Sequence, residues 1–406
     1  MSIKFRLIIM NFLQYAIWGA WLISLGAYLG GGLEFSGRQI GSFFATMGIA
    51  SLFMPAIMGI IADRWVPAQK LLGICHLIAA VLMIAAAPQT DYVPLYSLIL
   101  CSVMFYMPTI SLSNSVAYNA LSKAGLETVK AFPPIRVWGT VGFIVAMIAV
   151  DLLGFARSSM QLYFSAALSV ILGAYAFTLP NCPVAKMAKN QSWIDVMGLR
   201  AFALFKQKKM AIFFLFSMLL GVSLQITNAF GNDYLTNHFG SNPAYAGTFG
   251  VEHANILISL SQMSETLCIL LIPFFLKRFG IKNVMLISMC AWVLRFALLG
   301  AGNPGSGVWM LILSMMVYGV AFDFFNISGS LYVDKETDHS IRSSAQGVFM
   351  IMTNGFGAFF GSYAAGEVVD RMGWPASWFV FAGYAVVVTV LFAIIFKYKH
   401  DPKAVI

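Results

Sequence analysis

Charge is what this chain has least of. Of its 406 residues only 10% are Asp, Glu, Lys or Arg, while 60% are hydrophobic; a soluble domain carries about 25% charged residues. With a mean hydropathy of +0.81, water is excluded as the main solvent and a bilayer takes its place. Cysteine is scarce as well. Cys75, Cys101, Cys182, Cys268 and Cys290 are odd in number and show no CxxC spacing, which excludes a disulfide framework and argues against a zinc site. Four of the five fall in apolar runs, where free thiols are expected to fill core space. The histidines form no HExxH pair and no GxxxxGKS/T loop is present, so nothing points to metal hydrolysis or ATP use. Lys4 and Arg6 lead straight into an apolar run with no conspicuous small-residue cleavage site, so the first helix is expected to be retained.

What the chain does have is long apolar runs. They fall at approximately 7–30, 40–62, 71–88, 94–117, 137–156, 160–180, 210–233, 252–276, 283–300, 307–333, 343–366 and 375–396, most of them near the roughly 20 residues that cross a membrane as a helix. The expected fold class is an all-α polytopic membrane protein. Residues 1–180 would form one six-helix bundle and 210–406 a second with a short cytoplasmic tail. The polar stretch 181–209, with Pro183, Lys186, Lys189, Lys206, Lys208 and Lys209, would be the cytoplasmic linker.

The net charge of +9 has a topological reading. With the N-terminus inside, every Lys and Arg except Arg38, Arg157, Arg295 and Arg371 falls in a cytoplasmic segment, as the positive-inside rule requires. Both termini are then cytoplasmic, and the basic balance is no nucleic-acid footprint. Arg295, inside the ninth span, is expected to snorkel or to pair structurally.

Polar residues deep in the spans carry the functional signal. An acid at mid-bilayer costs about 2.5–3.5 kcal/mol even on the mildest insertion scale and is a functional-site hypothesis by default. Glu265 and Asp323 are two such acids. Gln225 and Asn228 are three apart and share a helical face, as do Gln262 and Glu265. Tyr318 and Phe322 can present adjacent rings, with Asp323 and Asn326 in a neighbouring stripe. Two prolines, Pro133 and Pro134, suit a helix start; beyond them Arg136, Thr140 and Phe143 recur at i, i+4 and i+7. Amides and a carboxylate suit the hydroxyls of a sugar or ribose, and aromatic rings suit a flat base. The residues alone therefore indicate a neutral polar solute, a nucleoside or a sugar. A receptor would need an output domain that the chain does not show, and an intramembrane enzyme a nucleophile–base pair that the spans do not supply.

The turn after the second run, Gly59-Ile-Ile-Ala-Asp63-Arg64, has the GxxxDR form, and Phe275-Leu-Lys277-Arg278-Phe279-Gly280 is a partial counterpart in the second half, with Lys277 at the acidic position. Six plus six spans with corresponding turns resemble the major facilitator superfamily. Within it, Phe132-Pro-Pro-Ile-Arg-Val-Trp-Gly-Thr, Gln225-Ile-Thr-Asn228, Gln262-Met-Ser-Glu265-Thr and Tyr318-Gly-Val-Ala-Phe-Asp323-Phe-Phe-Asn326 resemble the nucleoside:proton symporter family, which includes a xanthosine permease. The likeness runs from Phe12 to the tail at His400, departing chiefly in the loop 234–252 and the tail.

The resemblance implies proton-driven uptake of purine or pyrimidine nucleosides by alternating access across a bacterial inner membrane. The protein would be a monomer in lipid, powered by the proton gradient with no cofactor. A sugar:proton symporter is the alternative. It also implies that Arg136, Thr140, Phe143, Gln225, Asn228, Gln262, Glu265, Tyr318 and Phe322 bind substrate. Asp323 would take the proton and Glu265 the ribose, with those roles exchangeable, and Asp63 and Arg64 would fix a gating turn.

Overall fold

Long apolar helices follow from the composition, because in lipid each backbone N–H and C=O must be satisfied within its own segment. The computed structural model describes residues 2–184, 199–338 and 341–398. Lys186 and Lys189 of the expected linker, and the tail from residue 399 with His400, lie outside the described residues. Helices α1 to α6 are Ile3–Gly19, Gly37–Arg64, Ala68–Ala86, Tyr92–Lys123, Thr128–Leu152 and Met160–Ala176. Helix α7, Lys208–Asp233, runs on as a π-helical turn, Tyr234–His238. Residues 254–279 and 281–301 form α8 and α9, hinged at Gly280, whose φ of 76° suits glycine. Then come α10, Val308–Glu336, α11, Arg342–Met350 continued through a π-helical turn to Met372, and α12, Ala376–Ile395. Among the described residues the architecture is all-helical, with twelve main helices as the twelve-pass expectation requires.

Several expectations shift in detail. The first run is not one helix: α1 ends at Gly19, and the chain resumes at Leu25–Ala27 and a π-helical turn, Tyr28–Gly32. At Gly19 a Cβ would meet the Phe143 backbone of α5 at under 3.0 Å, so α1 meets α5 main chain there. Pro133 and Pro134 lie inside α5, which begins at Thr128. They fall just past the four leading residues whose amides lack intrahelical partners. Among the cysteines, Cys101 and Cys290 are exposed on helix surfaces, whereas Cys75, Cys182 and Cys268 are buried.

The described residues form two compact units. The first holds the chain up to Phe35 together with Thr46 onward to the linker; the second holds Ser36–Ala45 and the chain after the linker. The first unit packs Leu7, Met10, Leu72, Cys75, Val116 and Leu172 at its centre. In the second unit the N-terminal end of α2 lies on α11. Asp370 accepts from the Gly37 and Arg38 amides at 2.6 and 2.8 Å, and Glu367 bridges Arg38 and Arg371 at 2.6 and 2.5 Å. Outward-pointing side chains such as Val81, Ile171, Leu270 and Ile394 are large and apolar, which suits lipid and would be costly in water.

Candidate functional site

In the first unit the site residues stand on α5, and glycine sets how closely α5 meets α1. At Gly142 a Cβ would run into the Phe12 main chain, and at Gly139 into the Tyr15 ring; small residues at such contacts are how bilayer helices gain packing energy. This approach sets Arg136 with its guanidinium carbon 3.9 Å from the centroid of the Tyr15 ring, a cation–π contact. One turn on, Thr140 is half-buried, and Phe143 beyond it is buried and meets Trp18 edge-on at 6.3 Å. Trp18 also touches Tyr106 at 5.9 Å, and its indole nitrogen is buried without a hydrogen-bond partner.

Beneath these rings lies a polar network that the scattered histidine count did not reveal. His76 is fully buried. Its Nε2 meets Gln14 Oε1 at 2.9 Å and its Nδ1 meets Ser169 Oγ at 3.2 Å. Gln14 donates to Thr109 at 2.7 Å, and the Tyr106 hydroxyl donates to the Gln14 carbonyl at 2.7 Å. Four helices are thus tied behind Trp18 and Tyr106. Each residue is polar in an apolar run, but which groups meet is a property of packing, and spacing along one helix does not encode it.

In the second unit the cluster is built by serine contacts between helices. Ser264 Oγ donates to the Met316 carbonyl and accepts from the Gly319 amide at 3.3 Å; Ser288 donates to the Ala321 carbonyl. These bonds set the register of α8 and α9 against α10. Glu265, next to Ser264, is thereby brought to Tyr318 and Asp323: both acids act electrostatically on the Tyr318 phenol, and Gln262 hydrogen-bonds it. Asp323 is 4% exposed, its Oδ2 has no hydrogen-bond partner, and Glu265 acts on it directly. Two carboxyl groups so placed cannot both be charged without mutual repulsion.

Tyr318 and Phe322 stack at 5.8 Å and 10°, and Trp292 stands edge-on to Tyr318 at 6.1 Å. Behind Phe322 a small cavity of about 20 Å³ is lined by Trp292, Gly221, Asn326 and Thr353. On α7, Gly221 lies against the Thr353 main chain in the π-helical turn of α11. One turn further, Gln225 is buried with its carbonyl oxygen unpartnered, and Asn228 is half-buried. Of the two expectations for Arg295, structural pairing is the one met, through a bond from its Nη1 to the Ser314 carbonyl. It does not snorkel but is 3% exposed, with its guanidinium 4.8 Å from the Tyr318 ring centroid. Asp63 and Arg64 close α2 on the side of the turn to α3.

The arrangement offers aromatic faces, amides and a pair of neighbouring carboxyl groups, the chemistry that suits a polar solute. Similarity searches agree with that chemistry. The family described as nucleoside H+ symporter matches residues 1–401. Among curated relatives, the nucleoside permease NupG of Escherichia coli (strain K12) is 52% identical, the alignment covering 98% of this chain and 97% of that one. The xanthosine permease of the same organism is 53% identical, covering 100% and 98%. A crystal structure of a point variant of the nucleoside transporter NupG superposes with a TM-score of 0.95 at 52% identity, covering 98% of this chain and all of that one.

Proposed function

The chain belongs to the nucleoside H+ symporter family, and from that premise we propose how its residues divide the work of taking up nucleosides with protons. The observation that carries the reading is the second-unit cluster, in which Gln262, Glu265 and Asp323 gather about Tyr318, whose ring stacks on Phe322.

Asp323 is the proton carrier. It is the more buried acid and has an unpartnered oxygen; gain of a proton removes a charge that the bilayer penalises, and loss restores it. Glu265, half-buried, accepts from ribose hydroxyls. Gln225, Asn228 and Gln262 bond the polar edges of the nucleoside, and Tyr318 and Phe322 offer ring faces to the base. Arg136, Thr140 and Phe143 supply the contacts of the first unit. Because Glu265 and Asp323 interact, ribose bound at one alters the cost of charge at the other, and proton and substrate become linked by a coupling free energy. The protein works by alternating access, as a monomer in a bacterial inner membrane with both termini cytoplasmic. Asp63 and Arg64 brace a turn that gates the movement.

Uptake of labelled uridine, adenosine and xanthosine into cells without their own nucleoside transporters tests this reading. Accumulation that a protonophore abolishes, and that unlabelled nucleosides but not sugars suppress, is the expected result. Competition by sugars would move the assignment to a sugar symporter.

A further inference from the structure

Arg295 lies outside the motifs that carry the family resemblance, yet it covers one face of the ring at the centre of the acid cluster. A cation buried this deeply in a spanning segment calls for a named partner. Its Nη1 donates to the Ser314 carbonyl at 2.5 Å and reaches Ser261 Oγ at 3.5 Å, while the Ser314 hydroxyl donates back to the Arg295 carbonyl at 3.0 Å. Its Nε has no hydrogen-bond partner. Nη1 also lies 3.9 Å from Met315 Sδ, and the Tyr318 ring centroid is 4.8 Å from the guanidinium carbon.

Carbonyl, hydroxyl and ring orient the guanidinium but do not neutralise it, and arginine stays charged at physiological pH. Tyr318 in turn is fixed by Gln262 at its hydroxyl, Phe322 alongside and Trp292 at its edge. The same ring feels Glu265, Arg295 and Asp323 together. Cys268 on α8, beside Asp323, is a further titratable group of the cluster.

We propose that Arg295 is a positioning residue for proton coupling: through Tyr318 it holds the ring against the Glu265–Asp323 pair and supplies a fixed positive charge against which that pair gains and loses its proton. The proposal rests on the assignment of those acids to coupling. A fixed cation favours the charged form of a nearby carboxyl group. Its removal makes the pair hold the proton more tightly, so the proton-dependent limb of uptake moves to higher pH.

The test compares the parent with Arg295→Gln, Arg295→Met and Arg295→Lys in proteoliposomes. Two quantities are measured: uridine counterflow, which needs no net proton movement, and accumulation driven by a pH gradient, each across external pH. In the neutral variants counterflow stays within about twofold, accumulation falls at least about fivefold, and the pH profile moves up by about one unit. Arg295→Lys, which keeps charge but not the planar fork, retains the parental profile. An unmoved profile in the neutral variants refutes the proposal, as does an equal fall of counterflow and accumulation with no change in profile. Should the neutral variants lose binding altogether, Arg295→Lys decides: a parental profile supports the role of charge and a displaced one refutes it. Failure of the underlying assignment is separately visible, because Asp323→Asn and Glu265→Gln in the same vesicles would then both accumulate uridine like the parent.

Discussion

At the scale of single residues, the two acids should separate by experiment. Asp323→Asn keeps hydrogen-bonding capacity but cannot carry a proton, so uridine exchange persists while gradient-driven accumulation falls at least about tenfold. Under the proposed assignment, Glu265→Gln removes the charged acceptor for ribose. A hydrogen bond to a charged group is worth about 1.5–3 kcal/mol, so the apparent affinity should weaken by about ten- to a hundredfold in a binding titration. In the first unit, His76→Leu leaves the buried Gln14 Oε1 without its partner, while Ser169 keeps its bond to the carbonyl of residue 76. The cost is about 1–3 kcal/mol, read as a lower thermal midpoint in detergent.

Glu265, Asp323 and their neighbouring amides were legible because a bilayer makes polar residues conspicuous. His76 and the burial of Arg295 were not. Periodicity tells which face of a helix a residue shares, whereas these roles depend on which foreign helix that face meets.

At the scale of elements, the sequence marks where helices run more clearly than where they break. The apolar runs and the basic turns located all twelve passes. The interruption after Gly19, the π-helical turns at Tyr28–Gly32, Tyr234–His238 and Ile351–Gly357, and the prolines inside α5 lay beyond hydropathy, which reports neither helix type nor close neighbours such as the Phe143 main chain at Gly19. Gly142 is another such contact. Gly142→Val would drive a branched side chain into the Phe12 main chain, where backbone cannot yield. Overpacking costs about 1–3 kcal/mol, and the displaced α5 would carry Arg136, Thr140 and Phe143 with it, lowering both the thermal midpoint and uridine affinity. At the other end of the scale of severity, Asp370→Ala leaves the first amides of α2 without their carboxylate. Losing such a cap costs about 1–2 kcal/mol, again visible in the thermal midpoint.

For the whole molecule, scarcity of charge and its placement are one argument. Basic residues concentrate at one set of helix ends and direct insertion, while the few charges left inside the spans are free to couple a gradient to a solute. Under the proposed assignment Glu265, Asp323 and Arg295 all belong to the second unit, so the proton-handling groups are concentrated there, on the same helices as the substrate contacts Gln262, Tyr318 and Phe322, while Arg136, Thr140 and Phe143 stand in the first unit. The most direct test of the account is lumenal pH in proteoliposomes carrying a trapped pH-sensitive dye, recorded as uridine is added outside without any imposed gradient. The parent should acidify the lumen as uridine enters, and Asp323→Asn should exchange uridine with no acidification. Uridine entry by the parent without acidification would contradict proton symport, and acidification by Asp323→Asn equal to that of the parent would remove the proton from Asp323.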